Sequence, residues 1–213
     1  MGSWRLAAGA AMVALLLGSC GSGQSSSLFT TDIRSNRAAD GFVTRTVPAG
    51  TDNAVPALDN GAVQAGIDPV TSSESRAFLD VPLEGAGGVP AGARIVTAFL
   101  QVHFSGIDAI GNATFPIVLE IVPPFHPLDP SDFDAVPASG VVVTRNIFPS
   151  VDRGNFVDID VAPLLEEALG LGLRRLEVRV RPGLPAAAPG LVRIEDLAIF
   201  DTAPRLQVEY FPP

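Results

Sequence analysis

Cys20 is the one cysteine of the 213-residue chain, and it closes the segment Leu17-Gly18-Ser19-Cys20 behind an apolar run. A thiol there can attack a lipid donor to form a thioether; Gly18 and Ser19 are small enough for a peptidase cleft, and Leu17 is the larger apolar residue before them. A second group is Asp129, Asp132 and Asp134, three carboxylates that could reach one Ca²⁺, an ion taking six to eight oxygen ligands. They lack the glycine and distal glutamate of an EF-hand, so solvated turn residues compete with the calcium reading. Asp158 and Asp160 share one strand face about 7 Å apart and could pair with the arginines of 175–181. His103 and His126 are the only histidines; a metal site would need both in space with a carboxylate, and their spacing gives no sign of one. The chain has no G-x-S-x-G elbow, H-E-x-x-H pair or phosphate loop, and its acids are too common to single out a glycosidase pair. A non-catalytic protein is expected, with a structural Ca²⁺ at Asp129, Asp132 and Asp134 the one cofactor considered.

The residues before Cys20 give it its meaning. Arg5 precedes the apolar stretch Leu6–Leu17, and a positive start, a short apolar run and small residues at the break mark an export signal. That run is too short for a bilayer span, which needs about 20 residues. The pattern reads as a bacterial lipobox: residues 1–19 form a lipoprotein signal peptide, and the mature chain begins at a lipidated Cys20. Residues 20–37 are expected to form a tether. Its Gly21–Ser27 portion is flexible and polar and spans about 15 Å root-mean-square. Two or more acyl chains anchor stably where one holds only marginally. Gly21 is not the aspartate that retains lipoproteins at an inner membrane, so the outer membrane is favoured if the cell has two.

Beyond the tether, residues 38–213 are expected to form one domain with a sizeable core. All 14 basic residues are arginine, which GC-rich coding bias explains better than selection for guanidinium chemistry. With 23 acidic residues the formal net charge is −9, which disfavours nucleic acid and anionic lipid as partners. No cysteine remains after Cys20, so no disulfide supports the domain.

Scattered glycine and proline with short alternating apolar segments point to an all-β domain. In Arg94–Phe104, Val96, Ala98, Leu100, Val102 and Phe104 fall on one face and a partly polar set on the other. Phe115–Val122 is almost wholly apolar and reads as a central strand. Gly140–Arg145 is another β-branched run. In Phe156–Val161, Val157, Ile159 and Val161 alternate with the two aspartates. Leu173–Arg181 alternates most cleanly, with Leu176, Val178 and Val180 inward and Arg175, Glu177, Arg179 and Arg181 outward. Leu191–Phe200 and Arg205–Phe211 complete the set, the last placing Leu206, Val208 and Tyr210 inward. One segment, Ala162–Leu169, reads as a helix, with Pro163 in its first turn and Gly170 as a stop. Residues 48–75 are polar and interrupted, so long loops around weak strands are expected there. The economical architecture is an antiparallel, jelly-roll-like β-sandwich with one short helix.

Four segments together, Arg76–Leu83, Val89–Leu100, Phe156–Val161 and Pro204–Tyr210, resemble the secreted β-sandwich family called DNRLRE, some of whose members are grouped with carbohydrate-binding modules. The resemblance covers roughly residues 38–211. The tryptophan often found before the third segment is absent, with Phe156 nearby, and so is the hexapeptide that names the family. The resemblance implies a jelly-roll-like sandwich and an extracellular placement; its matching residues pack and turn the chain, so it assigns no ligand-binding residue. Sugar binding usually relies on exposed tryptophan or tyrosine, yet Trp4 lies in the leader and Tyr210 is expected inward. The function expected is therefore a lipid-anchored envelope protein whose sandwich serves structural or protein interaction. The alternative is a carbohydrate-binding module, supported or not by Ca²⁺, for an envelope or extracellular glycan.

Overall fold

The alternation of β-branched and polar residues produces strands almost throughout the computed structural model, which describes residues 27–183, 189–197 and 201–213. In chain order the strands are β1 (Phe29–Arg34), β2 (Gly41–Arg45), β3 (Asp52–Pro56), β4 (Ala62–Ile67), β5 (Glu74–Pro82) and β6 (Arg94–Ala109). They continue as β7 (Phe115–Ile121), β8 (Val142–Ile147), β9 (Phe156–Asp160), β10 (Arg175–Pro182), β11 (Gly190–Glu195) and β12 (Arg205–Phe211). Every pairing is antiparallel. The expected all-β, sandwich-like fold is what these strands build.

One curled sheet makes both layers. The order runs β1-β12-β6-β11-β4-β5-β10-β7-β8, with β9 on β6 and the β2–β3 hairpin on β5. The long β6 belongs to both: its first part pairs with β12 and β9, its second with β11. Register shifts in its pairing with both neighbours, opposite Glu209/Tyr210 and opposite Arg193/Ile194, each leave β6 with one residue more than its partner, and such irregularities bend a ribbon and strengthen its twist. The smaller layer is β1, β12, the first part of β6, and β9; the larger contains β4, β5, β7, β8, β10 and β11 with the hairpin.

Between the layers lies a continuous apolar core. The smaller layer contributes Leu100, Val102, Phe104, Ile159, Leu206 and Val208; the larger contributes Leu79, Val81, Ile117, Leu119, Leu176, Val178 and Val180. Each such side chain, fully withdrawn from water, is worth about 1.5–3 kcal/mol. The inward sets expected for β9, β10 and β12 are buried as read. Val96 is the exception, 45% exposed, because the register shift beside it gives β6 one residue more than β12 between the Ile95–Tyr210 and Thr97–Glu209 pairs. Close backbone approach sets one glycine: a Cβ on Gly190 would lie 2.2 Å from the Phe115 ring.

Three features differ from the sequence reading. The ordered sheet begins earlier than residue 38, because β1 occupies Phe29–Arg34 in the span given to the tether and pairs residue for residue with β12. Residues 48–75, expected as long loops around weak strands, hold β3, β4 and the start of β5 with only short connections between them. Val63 and Ala65 reach the core, a signal of two residues too short for periodicity to register. The helix is not alone: beside α3 (Ala162–Gly170) stand the single turns α1 (Ala57–Asn60) and α2 (Pro149–Asp152). One turn cannot repay helix nucleation by itself, and tertiary contacts hold both. Ala57 N–H donates to the Asp40 carbonyl at 2.8 Å, and Asp152 accepts from Phe148 N–H at 2.8 Å. In α3, Leu164, Leu165 and Ala168 face the core, and the left-handed residue after it is Gly172 rather than Gly170. Among the described residues no helix is long and apolar enough to cross a membrane.

Candidate functional site

The leader, Cys20 and the tether residues up to Ser26 lie outside the described residues, as do 198–200 at the end of the strand expected at Leu191–Phe200. The three aspartates proposed for calcium are described, and they do not converge on one point. Asp129 caps a 3₁₀ turn (Pro130–Asp134), accepting from Ser131 N–H at 2.9 Å, while Asp132 reaches back to Asp129 N–H at 2.7 Å. This reciprocal capping box satisfies backbone donors that a turn otherwise leaves open. Asp134 turns away and pairs with Arg45 at 2.7 Å. The hydrogen bond from Arg45 holds its carboxyl below the usual range, and the backbone donor at Ser131 does the same for Asp129. Carboxylates used in this way fix a loop.

That loop also explains where the outward side of β10 departs from expectation. Arg179, expected in solvent, is only 3% exposed, and Glu177 and Glu120 are buried beside it. The segment from Val122 to Val136 folds over the outward face of the larger layer and inserts Phe125 and Phe133 against Val43 and Phe78, a second apolar cluster. Both Arg45 and Arg76 place their guanidinium groups 3.9 Å from the centre of the Phe133 ring. Arg179 donates to Glu120 at 2.8 Å and to the carbonyls of Phe133 and Ala135 at 3.1 and 2.8 Å. Burial works to raise the Glu120 carboxyl, but the hydrogen bonds from Arg181 and Arg179 outweigh it and leave Glu120 below its ordinary value. The alternation of β10 reads correctly; what its polar side faces is decided by residues some 50 positions away.

Asp158 and Asp160 belong to β9, which pairs with β6 in the smaller layer, so they do not meet the arginines of β10. Asp158 accepts from Gln101 at 2.8 Å, and Asp160 accepts from Ala162 N–H at 3.0 Å, at the entry to α3. His103 lies mid-strand, its Nδ1 2.8 Å from Glu195, while His126 sits in the covering segment against Asp80 and Glu177. The two histidines therefore serve separate places. The Asp80–Glu177 pair was invisible in the sequence, because register alone sets residues 97 positions apart opposite each other.

Two concave regions stand out. On the outer face of the smaller layer a groove of about 490 Å³ is lined by Asp32, Thr97, Phe99, Asp158, Gln207 and Glu209 among others. Phe99 in its lining is 36% exposed, and Phe156 is exposed further along the same sheet face. Cross-strand register puts Phe99 opposite Gln207 and Thr97 opposite Glu209. Thr97 donates to Glu209 at 3.1 Å, while Asp32 lies 3.7 Å from Arg205. The groove is an aromatic ring flanked by amide, hydroxyl and carboxylate groups on rigid strands, with an excess of negative charge.

The other region surrounds His126 beneath the covering segment. A pocket of about 340 Å³ is lined by Asn36, Asp40, Pro56, His126 and Leu128, and one of about 520 Å³ by Val122, Pro124, Leu173, Arg175 and Glu177. Burial pushes the Asp40 carboxyl up to about 8 against the hydrogen bond from Asp80 N–H. Burial and the Asp80 charge push Glu177 up to about 7. No protein-family model matches the chain, and no curated protein matches it.

Proposed function

We propose that this chain is a lipid-anchored, non-catalytic interaction module of the bacterial cell envelope, held at a membrane through Cys20, with the outer face of its smaller layer as the binding surface. The observation that carries this reading is the groove around Phe99. A ring exposed on a strand offers a hydrophobic platform for the apolar face of a sugar, and the flanking Gln207, Thr97, Asp158 and Glu209 offer acceptors and donors to ring hydroxyls. Rigid strands keep that array preorganised, which lowers the ordering cost of binding. The surplus of carboxylates disfavours phosphorylated or uronic glycans, so a neutral envelope or extracellular glycan is the ligand this surface suits best. The DNRLRE-like pattern, some of whose family are carbohydrate-binding modules, agrees with that choice.

A protein partner is the second reading, favoured by the exposed side chains of Val142, Phe148 and Val151 along and just after the edge strand β8. Probing a glycan array with the full chain, with and without calcium, and following hits by calorimetry separates the two. Binding that is lost in Phe99→Ala and retained in Val142→Asp supports the groove. Binding to no glycan, together with an envelope protein cross-linked at β8, would replace it with the second reading. Metabolic labelling with a fatty-acid analogue tests the anchor: wild type should be labelled and Cys20→Ser should not.

A further inference from the structure

Residues Asp80 on β5 and Glu177 on β10 are directly opposed in the antiparallel register. Like charges directly opposite are destabilising, and here they face each other out of water: Asp80 is fully buried and the Glu177 side chain is only 7% exposed. His126 closes the arrangement from the covering segment, its Nε2 3.4 Å from Asp80 Oδ2 and 3.0 Å from Glu177 Oε1. The three ligand atoms all lie within 4.8 Å of one another. The contact between Glu177 Oε1 and the imidazole is close without being a hydrogen bond, and that buried oxygen has no donor among the described residues. An imidazole nitrogen and two carboxylate oxygens thus lie close enough to share one ion without hydrogen-bonding one another.

We propose that Asp80, His126 and Glu177 bind one divalent transition-metal ion of the zinc class. Zinc takes imidazole nitrogen at about 2.0–2.1 Å and carboxylate oxygen at about 2.0–2.2 Å, so neighbouring ligand atoms of a tetrahedral site stand about 3.4 Å apart. The two distances to His126 Nε2 match that edge to within a few tenths of an ångström. A nitrogen in the set selects against Ca²⁺ and Mg²⁺, which take oxygen ligands, and favours the metals that imidazole suits. Three protein ligands leave a fourth position, and the half-buried His126, at the wall of the 340 Å³ pocket, gives solvent access to it. Asn36 donates to Asp80 Oδ2 at 3.1 Å and Arg175 forms two hydrogen bonds with the same carboxylate, partners of the kind that orient ligating groups. Arg175, whose side chain is 37% exposed, can release Oδ2 to the ion while its Nε keeps the bond to Asp80 Oδ1. The site lies on the opposite layer from the Phe99 groove, so either reading can fail alone.

The test is calorimetric titration of the full chain, solubilised in detergent, untagged and stripped with a chelator, using Zn²⁺, Co²⁺, Ca²⁺ and Mg²⁺. One Zn²⁺ per chain is expected, with a visible Co²⁺ spectrum of mixed nitrogen and oxygen ligation and no comparable heat from Ca²⁺ or Mg²⁺. His126→Ala and Glu177→Gln should each abolish that heat, and Asn36→Ala should weaken binding roughly 10–100-fold. Glu177→Gln preserves shape, so it keeps the test valid if His126→Ala does not fold. Absence of one-to-one binding in the wild type, or binding unchanged in the folded Glu177→Gln variant, would overturn the site.

Discussion

The two outer faces of this sandwich begin from the same kind of strand and end in opposite environments. On the smaller layer, Phe99, Asp158, Gln207 and Glu209 look into an open groove. On the larger layer, Asp80, Glu120, Glu177 and Arg179 are buried where the Val122–Val136 segment covers the sheet. Strand alternation separates apolar from polar side chains, but it does not say whether the polar side meets water. Where it does, polar residues cost little and are free to bind. Where a loop covers them, each charge must find a partner, and the covered face becomes a network instead of a surface.

The comparison breaks first at Arg179. Alternation alone, which turns Val178 inward and Arg179 outward, makes Val178→Asp severe and Arg179→Asp mild. The structure overturns the second half. Val178→Asp should prevent folding, and Arg179→Ala should cost about 3–5 kcal/mol by leaving Glu120 buried and uncompensated. Urea unfolding would measure both, and an Arg179→Ala variant as stable as wild type would show that the covering segment does not seal this face. Phe133→Ala comes next, at about 3–5 kcal/mol for a buried phenylalanine. Amide exchange should rise mainly in residues 122–136 if that loss is local.

Asp196 sharpens the contrast through pH. Both its oxygens are buried and lack a partner among the described residues, and burial pushes its carboxyl up to about 6. The folded chain therefore holds this proton more tightly than the unfolded chain does. Its contribution to stability is fully present below about pH 4 and is lost as pH rises through about 6. Asp196→Asn should thus stabilise the protein by about 1–3 kcal/mol at neutral pH and leave it unchanged at pH near 4, read as melting temperature against pH. Asp52 and Asp134 run the other way. Their hydrogen bonds to Arg45 lower both carboxyls, so the clamp on the covering segment is present at neutral pH and lost on acidification. Exchange in that segment, corrected for its intrinsic rate, should rise as pH falls below about 4. The smallest effect on stability belongs to the open face: Phe99→Ala should change unfolding free energy by only about 0.5 kcal/mol while removing the glycan binding proposed for that groove.

Much of the architecture is legible in the chain. The inward residues of β9, β10 and β12, the helix at Ala162–Gly170 and the all-β class follow from local periodicity, because a strand's faces are set by covalent geometry two residues at a time. Val96 escaped because it is the extra residue that β6 carries opposite Glu209 and Tyr210, and α1 and α2 escaped because one turn carries no period. The candidate sites were less legible. Asp129, Asp132 and Asp134 are adjacent in sequence and look like a ligand set, yet a capping box and Arg45 use them. Asp80, His126 and Glu177 are far apart in sequence and meet through register and one loop.

By itself the sequence determined the export-and-lipidation pattern expected around Cys20, the strand periods, and which side chains are apolar enough to enter a core. The tertiary structure alone decided which polar face stays open, which is covered, and which distant carboxylates and imidazole face one another. The physical reason is range. Alternation and capping act between neighbours along the chain, whereas burial of a charge depends on what folds over it, and here that cover comes from the Val122–Val136 segment between β7 and β8.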